Sequence, residues 1–260
     1  MTEINPQVRP LIDDILSQMQ GILGENLVGL YLFGSLVTGD FDPETSDIDL
    51  LAVTATDIDE AEFTALQMMH ADLALKYPTW EGRIEIAYAS RPALRGFKTQ
   101  PYKLGIISPG EPFHIVDADP GWLMNWYVVQ EKGVTLFGPS PQTIIDPLSN
   151  DEYVAAVRRS IAAWRGYELY SSRVSHRGAQ AYAILTMCRG LYTHTHGGLL
   201  SKRQAAEWAQ NELPEWAPLI RNALVWRRDW RDDTVDHAAT LGETRRFVKS
   251  VIDKVLNEAN

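Results

Sequence analysis

Residues 27–53 read LVGLYLFGSLVTGDFDPETSDIDLLAV and hold the residue types with the clearest chemical content in this chain. A first apolar run ends in Gly34-Ser35, eleven residues follow, and Asp47-Ile48-Asp49 opens a second apolar run. Alternate residues of a strand leave by one face, so Asp47 and Asp49 set two carboxylates side by side at its start. Like charges that close repel, and they gain from a divalent cation between them. Hard oxygen ligands suit Mg²⁺, which keeps several waters and is completed by substrate phosphates. Gly34 supplies freedom for a sharp turn and close backbone approach to a phosphate, and Ser35 adds a hydroxyl beside it. Together these residues describe a metal-triphosphate site. The plain alternative is an ordinary Gly-Ser turn and a solvated strand end. The flanking runs weigh against it, because strand, turn and strand are the context such a motif requires.

The elements that must position these groups follow from periodicity. Val8, Leu11, Ile12, Ile15 and Met19 keep helical spacing, with Gly21 or Gly24 as the stop. Leu27 to Phe33 and Leu50 to Val53 read as strands joined across a polar turn, Asp40 to Ser46, which contains Pro43. A helix is expected from about Ile58 to Leu75, closed by Pro78. The stretch 82–88 alternates, with Ile84, Ile86 and Tyr88 on one face and Arg83, Glu85 and Ala87 on the other. Glu85 is either an exposed residue paired with Arg83 or Lys76, or a third carboxylate that completes the metal site or accepts a proton from an attacking hydroxyl. From Ser90 to Pro147 the pattern weakens. Trp122, Trp126 and Tyr127 read as core, Asp117 and Asp119 as a helix cap, and 133–139 as a short strand and turn.

After Asp151 the pattern is helical. Val154, Val157, Ile161 and Trp164 mark one helix; Ala181, Ile184, Leu185, Cys188, Leu191 and Tyr192 mark another that Gly197-Gly198 ends. Ser201 and Gln204 form a capping box for a third. Lys202 then falls in a first helical turn, where a cation opposes the dipole unless an anion sits there. Arg189, one helix earlier, offers a second cation. His194 and His196 stand two apart, do not face one way on a helix and lack a third ligand, so they read as helix-end polar residues. Trp226 and Trp230 lie among Arg221, Arg227, Arg228 and Arg231, which suggests cation-π packing or, for Trp226, stacking on a base.

The GS-x11-DxD pattern resembles the signature of nucleotidyltransferases of the polymerase beta type. The stretch LTMCRGLYTHTHGGLLSKRQAAEW is similar to a helical-domain segment of the aminoglycoside adenylyltransferases that modify streptomycin and spectinomycin. That resemblance implies Glu85 as catalytic base, and it implies that Arg189 and Lys202, which match by residue and by their separation of thirteen, contact the nucleotide triphosphate. It further implies Gly34, Ser35 and Ser46 as nucleotide-binding residues and Asp47, Asp49 and Glu85 as ligands of one or two Mg²⁺, with ATP as substrate. The chain departs from the streptomycin-modifying relatives at Ala179, ten residues before Arg189, where they carry an acidic residue that grips the drug. Two acceptors stay open on that ground: a narrower drug such as spectinomycin alone, or a molecule that is not an antibiotic.

Composition bounds the rest. At 260 residues, 45% hydrophobic and with eight Trp, the chain can bury a sizeable core and reads as two modest domains. An α/β nucleotidyltransferase domain, a mixed sheet with flanking helices, is expected over 1–150, and an all-α bundle that binds nucleotide and acceptor over 151–260. Residues 1–150 hold 8 Lys and Arg against 21 Asp and Glu, and residues 151–260 hold 16 against 13. An acidic half and a mildly basic half suit a site where one side binds metal and the other phosphates. The net charge of −10 argues against a nucleic-acid track. No apolar stretch spans a membrane, the start lacks a signal-peptide pattern, and the single Cys188 fits a reducing cytoplasm. The expectation is a cytoplasmic, monomeric, Mg-dependent adenylyltransferase that moves AMP from ATP to a hydroxyl of a small cationic acceptor, an aminoglycoside or aminocyclitol antibiotic. Its rivals are a nucleotidyltransferase of a protein target, as in antitoxin-like AMPylation, and a nucleotide-binding module without turnover.

Overall fold

The computed structural model describes residues 4–170, 176–227 and 236–257. It divides into two compact units, Met1–Leu148 and Ser149–Asn260.

The first unit runs α1 (Arg9–Leu23), β1 (Leu27–Phe33), α2 (Ser35–Thr38), β2 (Ile48–Thr54), α3 (Glu60–Lys76), β3 (Ile84–Ser90), α4 (Arg91–Gly96), β4 (Lys103–Ser108), β5 (Glu111–Asp117), α5 (Trp122–Lys132) and β6 (Val134–Phe137). The six strands form one sheet in the order β5-β4-β3-β2-β1-β6. Only β2 and β3 pair in parallel, as strands joined by a crossover helix must, and every other pair is antiparallel. Both faces are covered, so the central strands read as nearly unbroken apolar runs. On one face Leu50, Ala52, Ile86 and Tyr88 pack with Leu11, Ile15 and Met19 of α1 and Leu66 and Leu73 of α3. On the other, Tyr31, Phe33, Leu51, Val53 and Ala87 pack with Leu94 of α4 and Trp126 and Val129 of α5.

Three local differences from the periodicity have physical causes. β2 begins at Ile48 rather than Leu50, because Asp49 is ladder-paired to Phe33 on one side and Glu85 on the other, and that pairing outweighs the poor strand propensity of Asp. The weakly patterned stretch after Ser90 holds α4 and the β4-β5 hairpin. β5 lies at the sheet edge with Phe113 as its one buried residue, so it carries almost no alternation to read. Asp119 makes a turn rather than a helix cap: its Oδ1 accepts from the Gly121 amide, and α5 has Gly121 at its N-cap with no side-chain cap bond.

The second unit is helical: α6 (Asn150–Tyr170), α7 (Arg177–His196), α8 (Lys202–Glu212), α9 (Ala217–Trp226) and α10 (Leu241–Asn257). α7 is central, with Ala181, Ile184, Leu185, Cys188 and Leu191 buried. Gln180 on α7 is fully buried and bonded at both ends of its amide: its Oε1 accepts from the Thr240 and Thr244 hydroxyls, and its Nε2 donates to the His237 carbonyl. No described helix is long and apolar enough to cross a membrane.

Candidate active site

Gly34 ends β1 with φ +70°, a region that L side chains avoid, and a Cβ there would stand 1.8 Å from Oδ2 of Asp49. The bare backbone of Gly34 is therefore what lets the Asp49 carboxylate lie against the turn. Ser35 follows as the first residue of α2, and its Oγ is buried with no hydrogen-bond partner among the described residues. A buried hydroxyl left without a partner costs free energy, which a phosphate oxygen would recover.

Asp49 and Glu85 are direct register neighbours on the parallel pair β2-β3, and both are half-buried. Asp47 lies two residues before Asp49, just outside the strand, and is also half-buried. Among the described residues no three or more His, Cys, Asp or Glu side chains are grouped as a metal cage needs. Asp49 and Glu85 thus share the start of two adjacent strands, with Asp47 next to it in the chain. Mg²⁺ needs only one or two protein carboxylates when waters and phosphates complete its shell. The all-oxygen donor set and the orphaned Ser35 hydroxyl fit such an ion beside a phosphate.

The turn that delivers Asp47 is internally tied. Ser46 is 3% exposed, and its Oγ accepts the Asp42 amide at 2.9 Å. Ser46, expected on the nucleotide, thus also takes part in the turn of its own loop. Arg83 donates through Nη1 to the Pro43 carbonyl at 2.9 Å and through Nε to the Ser46 carbonyl at 3.1 Å. Its guanidinium lies 4.6 Å from the Trp80 ring, which stacks on Phe41. Sequence reasoning missed this clamp, since its partners are main-chain carbonyls about forty residues away, which no side-chain pattern reveals.

In the helical unit Arg189 is exposed on α7, and its charge acts on the Tyr153 phenol, whose pKa is raised chiefly by burial. Lys202 is the first residue of α8, behind a complete capping box of Ser201 and Gln204. Its ammonium sits 5.3 Å from the Tyr182 ring. Tyr182 and Arg189 are seven residues apart, two turns and roughly 10 Å along one face of α7, so the two cations share a side of this unit. Tyr182 is 53% exposed and was not foreseen, since a single aromatic on a helix carries no signal by itself.

Other candidates have structural places. His194 accepts through Nδ1 from Nε of Arg158 at 2.9 Å, and His196 packs on the Tyr192 and Trp208 rings. Cys188 is fully buried, and burial pushes its thiol up to about 12, the state of a packed side chain. Trp226 is buried, with the Arg177 guanidinium 5.3 Å from its ring, so its cation-π partner comes from α7. Trp230, Arg228 and Arg231 lie outside the described residues.

Comparison with known proteins gives a consistent picture. The nucleotidyltransferase domain family matches residues 12–90, and the aminoglycoside adenylyltransferase C-terminal domain family matches residues 143–254. The chain is 26% identical over 269 aligned positions to an aminoglycoside (3'') (9) adenylyltransferase of Shigella flexneri, covering 97% of each. It is 28% identical to the corresponding protein of Rhizobium radiobacter, over 94% of this chain and 92% of that one. A spectinomycin 9-adenylyltransferase of Staphylococcus aureus is 26% identical over 82% of each. Among solved structures, a spectinomycin adenyltransferase from Enterococcus faecialis with ATP and spectinomycin superposes with TM-score 0.69 at 18% identity, over 93% of this chain and 99% of that one.

Proposed function

We propose that this chain, which belongs to the aminoglycoside adenylyltransferases and carries their nucleotidyltransferase and C-terminal domains, moves AMP from ATP to a hydroxyl of an aminoglycoside or aminocyclitol. The observation that carries the reading is the row of Asp49 and Glu85 in register, with Gly34 kept bare beneath the Asp49 carboxylate.

The reaction joins the acceptor oxygen to the α-phosphorus, breaks the bond from that phosphorus to the bridging oxygen, and releases pyrophosphate. Glu85 takes the hydroxyl proton as the new bond forms. Asp47 and Asp49 would hold one or two Mg²⁺, which when bound would supply positive charge against the phosphate oxygens. The Gly34 turn and the Ser35 hydroxyl receive phosphate oxygens. Arg189 and Lys202 meet the triphosphate, where their charges offset the negative charge of the leaving group. The acidic first unit favours a cationic acceptor. Ala179 supports the narrower choice of spectinomycin over streptomycin, because a small apolar side chain there cannot pair with a drug cation.

Pyrophosphate release from Mg-ATP, measured across aminoglycosides, aminocyclitols and cell extract, tests the reading. Release with a drug of this class is expected. Release with extract alone points to a protein or other cellular acceptor, and none with any addition overturns transfer.

A further inference from the structure

Asp47 lies between two ties that both lead to Arg83. On its N-terminal side the guanidinium takes the Ser46 carbonyl through Nε at 3.1 Å and also through Nη2. On its C-terminal side the Ile48 amide donates to the Arg83 carbonyl at 2.9 Å. A further bond from Nη1 holds the Pro43 carbonyl at 2.9 Å, and Trp80 backs the guanidinium plane at 4.6 Å. One residue, immediately before β3, therefore fixes the main chain on both sides of Asp47, two positions before the register partner of Asp49.

We infer that Arg83 is a positioning residue of this site: its side chain holds the 40–46 loop so that Asp47 is presented beside Asp49 and Glu85. The role rests on the transfer reading above. It needs the planar fork of arginine, since a lysine ammonium cannot reach two carbonyls while its face is stacked on an indole. The guanidinium ties a loop whose Thr45 and Ser46 amides close a local turn on the Asp42 carbonyl and whose Asp40 amide reaches the Ser35 carbonyl. A small misplacement of a metal-binding group costs turnover far more than it costs acceptor binding.

Arg83→Met keeps the stem and removes the fork. In the free protein it is expected to speed amide exchange across 41–48 while exchange in the helical unit stays as in wild type. Titration of the free protein with Mn²⁺ alone should show weaker binding. Turnover should fall about 10- to 100-fold with little change in acceptor KM, and Arg83→Lys should recover part of it. Unchanged exchange across 41–48 in Arg83→Met overturns the positioning role, even in an active enzyme. Exchange raised evenly over the whole first unit overturns it too, leaving Arg83 as a general stabiliser. Failure of the wild type to release pyrophosphate overturns the transfer reading, while the exchange and Mn²⁺ measurements still decide the loop.

Discussion

Asp49 lies so close to Gly34 that a single methyl group on the glycine would fall 1.8 Å from the carboxylate Oδ2 and 2.5 Å from its Cγ. The turn and the acid are therefore one unit: the glycine's missing side chain is the space that the carboxylate occupies. Gly34→Ala combines a left-handed backbone with that overlap, and should cost about 1–3 kcal/mol of stability. Because the carboxylate must turn away, turnover should fall further than the stability loss explains. Denaturant unfolding and pyrophosphate release on the same samples separate the two effects.

Glu85 and the Asp pair should differ in their readouts. Glu85→Gln keeps shape and removes the proton acceptor, so kcat should fall about 10²- to 10⁴-fold with ATP binding nearly intact. Asp47→Asn and Asp49→Asn should abolish measurable turnover and weaken Mn²⁺ binding to the free protein, as calorimetry would report. Equal Mn²⁺ affinity in the Asp variants and wild type would remove both from the metal site.

Lys202 occupies a helix start where its charge opposes the dipole. Lys202→Ala should leave the fold as stable or slightly more so, yet weaken ATP binding by about 1.5–3 kcal/mol, the range for a charge-assisted hydrogen bond. Ser201→Ala should behave in reverse, costing about 1 kcal/mol of stability through the lost cap. ATP affinity unmoved by Lys202→Ala would refute the phosphate contact.

His70 predicts an acid-sensitive fold. It is 6% exposed, its Nε2 lies 2.9 Å from the Tyr88 hydroxyl, and burial pushes its pKa down to about 4 from 6.5. Between those values the unfolded chain takes the proton and the folded chain does not, so stability falls as pH drops from 6.5 toward 4. The full difference is about 3 kcal/mol, present above pH 6.5. Urea unfolding at pH 5 and pH 7.5 should show most of that loss in wild type and a smaller one in His70→Phe, whose ring does not titrate.

Much of the fold was legible where one strong local signal existed. Val8 to Met19 repeat at helical spacing, Gly24 caps that helix, and Ser201 with Gln204 marks a helix start by chemistry alone. The edge hairpin was not legible, because β5 buries Phe113 and little else and so lacks the alternation that marks a half-buried strand.

For the site, order along the chain was enough to name the residue types: a glycine turn, a hydroxyl, paired acids at a strand start and a third acid on an alternating segment. Those choices are local, since period and spacing fix which face a side chain takes. The sequence by itself thus determined the chemistry available and the elements that carry it. Only the tertiary structure decided which strands are neighbours, and so that Asp49 stands opposite Glu85 rather than a strand away. It also decided that Ser46 takes part in the turn of its own loop and that Arg83 grips main-chain carbonyls. The reason is physical: register and backbone hydrogen bonds join residues distant in sequence through groups that every residue carries alike, and these leave no mark on the order of side chains.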